Sequence, residues 1–291
     1  MRILVIGKNG QVGGEFPRLY GSRGDVVLAG RGECDLSSEL SIRDLVRRVR
    51  PAVIINAAAY TAVDQAERER ELCFAINTAA PRVLAQEAAT LDALLIHYST
   101  DYVFNGEKAE PYVETDPISP VSVYGASKAA GEAAIAENGG RYLLLRTSWV
   151  YGAQGKNFLH TMLRLGSERS QLRVVDDQVG APTAAAAIAA ATVRLVEQYA
   201  ATGSHFAAGL YHMTAAGSTS WCGFARAIFS SGILAAPPQV QAIASSEYPT
   251  PAKRPANSVL SNDKFAHAFG FQLPPWQQQL QQVVAAMQVA R

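Results

Sequence analysis

A doubly wound α/β fold is what this sequence predicts, a parallel sheet with helices on both faces and a smaller, irregular lobe towards the C-terminus. Three observations predict it. Short apolar runs without polar alternation, Ile3 to Ile6, Val26 to Ala29, Val53 to Asn56, Leu94 to Tyr98 and Tyr142 to Leu145, have the pattern of strands buried on both faces. Helical patterns separate them, over 38–50, 64–90 and 121–138, in the alternation that builds a parallel sheet. Beyond Trp149 the segments shorten and prolines gather, Pro237, Pro238, Pro249, Pro251 and Pro255 among them.

The first strand runs straight into Gly7-Lys8-Asn9-Gly10-Gln11-Val12-Gly13. A glycine turn that opens a helix presents backbone N–H groups and the positive helix end to an anion, which is how a Rossmann-type fold holds a dinucleotide pyrophosphate. Pro17 predicts a short or kinked first helix. The second strand ends Leu28-Ala29-Gly30-Arg31 with no carboxylate at its tip. An arginine there can pair with a 2′-phosphate, which favours NADPH over NADH, or it can be a solvated turn residue. Asp35 and Leu36 follow where adenine would lie. In the next helix Ser41 and Asp44 offer polar starts. The third strand closes on Asn56-Ala57-Ala58-Ala59, small side chains that let backbone approach a dinucleotide or simply pack tightly.

The fourth strand ends His97-Tyr98-Ser99-Thr100-Asp101, at the sheet edge where such folds bind ligands. Thr100 can donate to a substrate oxygen; Asp101 can hold a sugar hydroxyl or cap the turn. Tyr124 and Lys128, four residues apart on the following helix, share a face. An ammonium about 5 Å from the phenol at an effective dielectric of about 20 contributes roughly 3 kcal/mol, about two pKa units, towards a more acidic tyrosine. Tyr124 would then donate a proton near neutrality, while Lys128 also held the nicotinamide ribose. Gly139-Gly140 closes the helix.

These stretches suggest a dinucleotide-binding domain over residues 1–150, rejoined by an alanine-rich helix around 183–200, and a mainly substrate-binding lobe over 151–291. The ordered loops 177–183 and 248–260 are expected to close over a substrate. With 291 residues and a formal charge of +1, the chain has no field suited to nucleic acid or an anionic membrane. Cys34, Cys73 and Cys222 are scattered and odd in number, which argues against disulfides or structural zinc and for a cytoplasmic protein. The first strand leaves no room for a targeting peptide, and no apolar stretch is long enough for a span.

Taken together, the glycine turn, Asn56-Ala57-Ala58-Ala59-Tyr60-Thr61-Ala62-Val63-Asp64, His97 to Phe104, Val123-Tyr124-Gly125, Arg146-Thr147-Ser148-Trp149-Val150-Tyr151 and Tyr248-Pro249-Thr250-Pro251 with Arg254-Pro255 resemble the dTDP-4-dehydrorhamnose reductase family of extended short-chain dehydrogenase/reductases. That resemblance implies reduction of a C4 ketone of a dTDP-sugar with NADPH or NADH, within dTDP-rhamnose and O-antigen biosynthesis. It implies a catalytic set of Thr100, Tyr124 and Lys128, and cofactor contacts at Gly7, Gly10, Gln11, Val12, Gly13, Ala59, Tyr60, Thr61 and Tyr98. Substrate positions are Thr100, Asp101 and Trp149, the last against the sugar ring or between the lobes. Arg254 is the candidate for the pyrophosphate, with Asn157 and Asn257 behind it. Some members dimerise through magnesium held by acids; Glu15 occupies one such place, but alanines follow Gly180-Ala181-Pro182-Thr183. A monomer or a dimer without metal is therefore expected. The competing readings are a reductase or epimerase for another nucleotide sugar, and a non-catalytic subunit like the regulatory β subunit of methionine adenosyltransferase.

Overall fold

The computed structural model describes residues 1–21 and 24–289. Its first half alternates strand and helix: β1 (Ile3–Ile6), α1 (Phe16–Tyr20), β2 (Val26–Ala29), α2 (Glu39–Val49), β3 (Val53–Asn56), α3 (Val63–Ala66), α4 (Arg70–Phe74), α5 (Ala80–Thr90), β4 (Leu94–Thr100), α6 (Val123–Ala136) and β5 (Tyr142–Thr147). The second half comprises β6 (Val150–Tyr151), α7 (Phe158–Glu168), β7 (Gln171–Val175), β8 (Val179–Gly180), β9 (Thr183–Ala184), α8 (Ala185–Thr202), β10 (Gly209–His212), β11 (Thr219–Ser220), α9 (Trp221–Ser230), β12 (Gln239–Ile243), α10 (Asp263–Phe269) and α11 (Trp276–Val289).

Six parallel strands form the main sheet in the order β10-β5-β4-β3-β1-β2. The order reverses between β1 and β3, and that reversal opens the crevice where doubly wound sheets take ligands. Side chains leave alternate faces. Ile3 and Val5 join Phe16, Ile188 and Leu195 on one side, whereas Leu4 and Ile6 join Ile42, Leu45, Val83 and Leu84 on the other. Both faces are thus dry, which is why these strands read as continuous apolar runs.

Local chemistry explains the breaks. Proline near its start keeps α1 to five residues. Ser38 caps α2 by accepting from Ser41 N–H, so the start lies before Ser41 and Asp44. The expected helix over 64–90 is divided into α3, α4, a π turn at Ala75–Ala79 and α5. Pro81 stands in the first turn of α5, where its missing N–H costs least.

A second core, built on Leu159, Leu172, Phe224, Ile228, Trp276 and Leu280, holds the C-terminal lobe together. The division between lobes is more interleaved than a boundary near residue 150 suggests. α8 packs on the main sheet, β10 extends that sheet, and Phe265, Phe269 and Leu273 complete its core. Among the described residues no helix is long and apolar enough to cross a membrane.

Candidate active site

The glycine turn is set by close backbone approach. Gly7 has φ of +98°, and a Cβ there would stand 2.8 Å from the Ala57 carbonyl carbon. A Cβ on Gly13 would collide with the Gly7 carbonyl. Neither position tolerates a side chain without moving backbone, and the result is a shallow cradle at the carboxyl edge of β1. Beside it lies a cavity of about 510 Å³, lined by Gly7, Arg31, Asp35, Leu36, Ala59 and Tyr60 among others. These residues, nominated from three separate stretches of sequence, come together at the point where the strand order reverses.

One expectation about this region fails. A carboxylate does reach the tip of β2: Glu33, three residues on, accepts from Gly30 N–H at 2.8 Å and pairs with Lys8 of the glycine turn at 2.6 Å. The lysine contact holds the Glu33 carboxyl below its usual value. The tight turn Gly30–Cys34 folds the acid back, which a search confined to the last strand residue misses. Arg31 is exposed and faces the cavity.

At the end of β4, Thr100 Oγ1 donates to Asp101 Oδ1 at 3.0 Å and accepts from Tyr102 N–H. Its hydroxyl lies near enough to the Tyr124 phenol to pull that group's titration down slightly. Asp101 is 2% exposed; burial pushes its carboxyl up to about 7, against the pull of the hydrogen bond from Thr100. Tyr124 enters on the first turn of α6, which Ser122 caps by accepting from Gly125 N–H. The Tyr102 ring meets its edge at 6.0 Å and 78°.

Lys128 stands where its register in α6 puts it, but its partners differ from those expected. It donates to the Tyr98 carbonyl at 2.6 Å and lies 3.0 Å from His97 Nε2. The Tyr124 phenol is displaced upwards, because loss of hydration outweighs every favourable contact, and Lys128 is not among the groups acting on it. The anticipated acidification is therefore absent from this arrangement. α6 is anchored to β5 by a buried two-point ion pair, with Glu132 accepting from Arg146 Nε and Nη2 at 2.9 and 2.7 Å. On the other flank, Asn77 of the π turn clamps Tyr60, accepting from its N–H and donating to its carbonyl, and bonds Ser127 of α6.

Four nominated residues are spent on architecture. The Tyr98 ring points into the opposite core and its hydroxyl bonds Thr192, leaving only its carbonyl on the site side. Asn157 caps α7 and donates to Gln11 Oε1 at 3.0 Å, tying the C-terminal lobe to the glycine turn. Asn257 donates to the carbonyls of Lys108, Ala109 and Glu110. Trp149 stacks on Trp221 with centroids 3.5 Å apart and planes within 3°, which is the packed alternative of its two readings. Of the remainder, Val12 is buried in the first core, Thr61 is exposed, and Arg254 pairs with Asp64 of α3 at 2.8 Å. Tyr60 donates to Glu69 at 2.7 Å, and its phenol is pushed up to about 12, chiefly by lost hydration.

His97, Glu33, Asp64 and the Glu132–Arg146 pair went unnominated in the sequence. Arg146 carried a usable signal: a lone cation ending the run Leu143-Leu144-Leu145 needs a buried partner. Among the described residues no group of three or more His, Cys, Asp or Glu side chains is placed to hold a metal ion.

The model of the RmlD substrate binding domain matches residues 1–289. The dTDP-4-dehydrorhamnose reductase of Burkholderia thailandensis is 49% identical over 285 residues, 95% of each chain. The crystal structure of a dTDP-4-dehydrorhamnose reductase from Clostridium acetobutylicum superposes with a TM-score of 0.92 at 34% identity, covering 99% of this chain and 100% of that one. That of the Bacillus anthracis enzyme in complex with NADP gives 0.91 at 35% identity, covering 98% and 99%.

Proposed function

The chain belongs to the RmlD substrate binding domain family, that of the dTDP-4-dehydrorhamnose reductases, and from that premise we propose that it reduces the C4 ketone of dTDP-4-dehydro-L-rhamnose to dTDP-L-rhamnose, with NADPH as the preferred reductant. The enzyme is an NAD(P)H-dependent oxidoreductase. The observation that carries the finer reading is the meeting of Thr100 and Tyr124 at the carboxyl end of β4, beside a cradle closed to any Cβ.

A dinucleotide fits that cradle. Gly7 and Gly13 let the turn close tightly on backbone so that its N–H groups can meet a pyrophosphate, Gln11 and Val12 follow at the helix start, and Ala59 and Tyr60 line the neighbouring cavity. Arg31 faces the cavity from the β2 side and is suited to a 2′-phosphate; Asp35 and Leu36 border the adenosine end. When bound, the cofactor supplies the hydride. The chain's own residues handle the oxygen. Thr100 and Tyr124 offer two hydroxyl donors to one carbonyl oxygen, stabilising the charge that develops on it. Burial keeps the proton on the Tyr124 phenol until an alkoxide, a stronger base than even a buried phenolate, is there to take it. Asp101 borders the sugar, and Arg254 on its proline-flanked loop is suited to exchange Asp64 for a diphosphate.

The test is NADPH oxidation, followed by absorbance, with enzymatically generated dTDP-4-dehydro-L-rhamnose. Tyr124→Phe is expected to lower kcat by about 10²–10⁴-fold, the range for loss of a positioned general acid. Arg31→Ala is expected to reduce the NADPH:NADH ratio of kcat/KM by roughly ten-fold or more. Turnover unaffected by Tyr124→Phe would remove the proton donor, and no turnover with either cofactor would remove the substrate assignment.

A further inference from the structure

Behind the proposed site lies a buried chain of three polar side chains, Asn56, His97 and Lys128, each 1% exposed. Asn56 Nδ2 is 3.0 Å from His97 Nδ1, and His97 Nε2 is 3.0 Å from Lys128 Nζ. Asn56 Oδ1 accepts from Ala58 N–H at 3.2 Å. A backbone N–H can only donate, so that contact fixes which end of the amide is oxygen and turns the NH₂ towards the ring. His97 Nδ1 must then be the acceptor. A neutral imidazole accepting at Nδ1 carries its proton on Nε2, and that N–H points at Lys128 Nζ. An ammonium has no lone pair to receive it. The contact is consistent only with a neutral amine, which accepts from His97 Nε2–H and donates to the Tyr98 carbonyl.

We propose that at alkaline pH Lys128 rests in the free protein as a neutral amine on the Nε2–H of His97, and that occupation of the dinucleotide site recharges it, so that binding there takes up one proton from solvent. This rests on Lys128 being the cofactor-facing lysine of the proposed reaction. His97 and Asn56 are then positioning residues, which set the charge of Lys128 without touching either ligand. The bound dinucleotide brings phosphate charge and ribose hydroxyl oxygens into the same crevice, both of which favour the ammonium. No bond forms other than the new N–H.

The surrounding groups agree with this assignment. The titratable groups acting on Lys128 are His97 from β4, Cys73 from α4 and Glu132 one turn along α6, with Glu132 neutralised by Arg146 of β5. Burial brings the lysine down to about 8 despite Glu132 and Cys73, and holds the His97 ring well below its usual range.

The experiment is calorimetric titration of the cofactor-free full chain with NADH and with NADPH, in buffer pairs of different ionisation enthalpy; NADH serves to remove any contribution from the 2′-phosphate. Uptake of about one proton per site is expected at pH 9, falling towards zero by pH 6.5. Long-range ¹H–¹⁵N spectra of the free protein should show the His97 proton on Nε2. In Asn56→Asp, a carboxylate oxygen facing Nδ1 moves the ring proton there, leaves Nε2 to accept from an ammonium, and abolishes the uptake. His97→Gln, whose amide oxygen can face Nζ, should abolish it as well. Binding without uptake in the wild type, or a free ring protonated on Nδ1, overturns the coupling. Failure of both dinucleotides to bind overturns the cofactor reading on which it depends.

Discussion

Asp101 shows how a single buried side chain links folding to the site. Its carboxyl is raised to about 7, so between the ordinary carboxylate value and that point the folded state holds a proton the unfolded chain has released. Stability from this residue therefore falls as pH rises from about 4 to about 7 and stays lost above it. Asp101→Asn keeps an acceptor for Thr100 and removes the charge. Thermal denaturation should show it more stable than wild type at pH 8, by several degrees, with no gain at pH 4; equal shifts at both pH values would contradict burial as the cause. The identity of such residues was legible where chemistry repeats locally, as with Tyr124, Lys128 and Thr100. Their partners were not, because His97 and Lys128 lie 31 positions apart and Asn56 and His97 lie 41 apart. Lys128 is the instructive case: helix spacing placed it on one face with Tyr124, but its amine is held instead between the Tyr98 carbonyl and the His97 ring.

Secondary-structure elements matter here as carriers of geometry. α6 brings both Tyr124 and Lys128, and its position on the sheet depends on Ile135 packing on the same sheet face as Leu4 and Ile6 and on Glu132 meeting Arg146. Both members of that pair are almost fully buried, with side-chain exposures of 6% and 1%. Arg146→Met would leave Glu132 as an uncompensated buried carboxylate, a loss of about 3–5 kcal/mol. Differential scanning calorimetry should record a markedly lower Tm, largely restored by the double variant Arg146→Met with Glu132→Gln; an unchanged Tm in the single variant would show that the pair does not anchor the helix. Existence and order of α2, α6 and the five early strands followed from apolar periodicity. The π turn between α4 and α5 did not, since one extra residue in a helix leaves no mark on composition and is stabilised by Asn77 reaching back to Tyr60.

At the scale of the molecule, a six-stranded parallel sheet positions the cradle at its reversal point, while a lobe with its own core rests against the opening. Gln11 and Asn157 join the two across 146 residues, and Arg254 with Asp64 does so across 190. The parallel-sheet class was legible from strands apolar throughout. The interleaving of lobes was not, because β10 is a short edge strand with only two of its four residues buried, and α10 returns to the sheet after a long excursion. The central claim is that this architecture delivers a hydride to C4 of the sugar and a proton from Tyr124 to its oxygen. It is tested most directly by running the reaction with NADPH deuterated at the transferring position and locating the label in the product by NMR. The predicted result is one deuterium at C4 of dTDP-rhamnose, formed about 10²–10⁴-fold more slowly by Tyr124→Phe than by wild type. Label at another carbon, or cofactor oxidation with no label in the sugar, would contradict it.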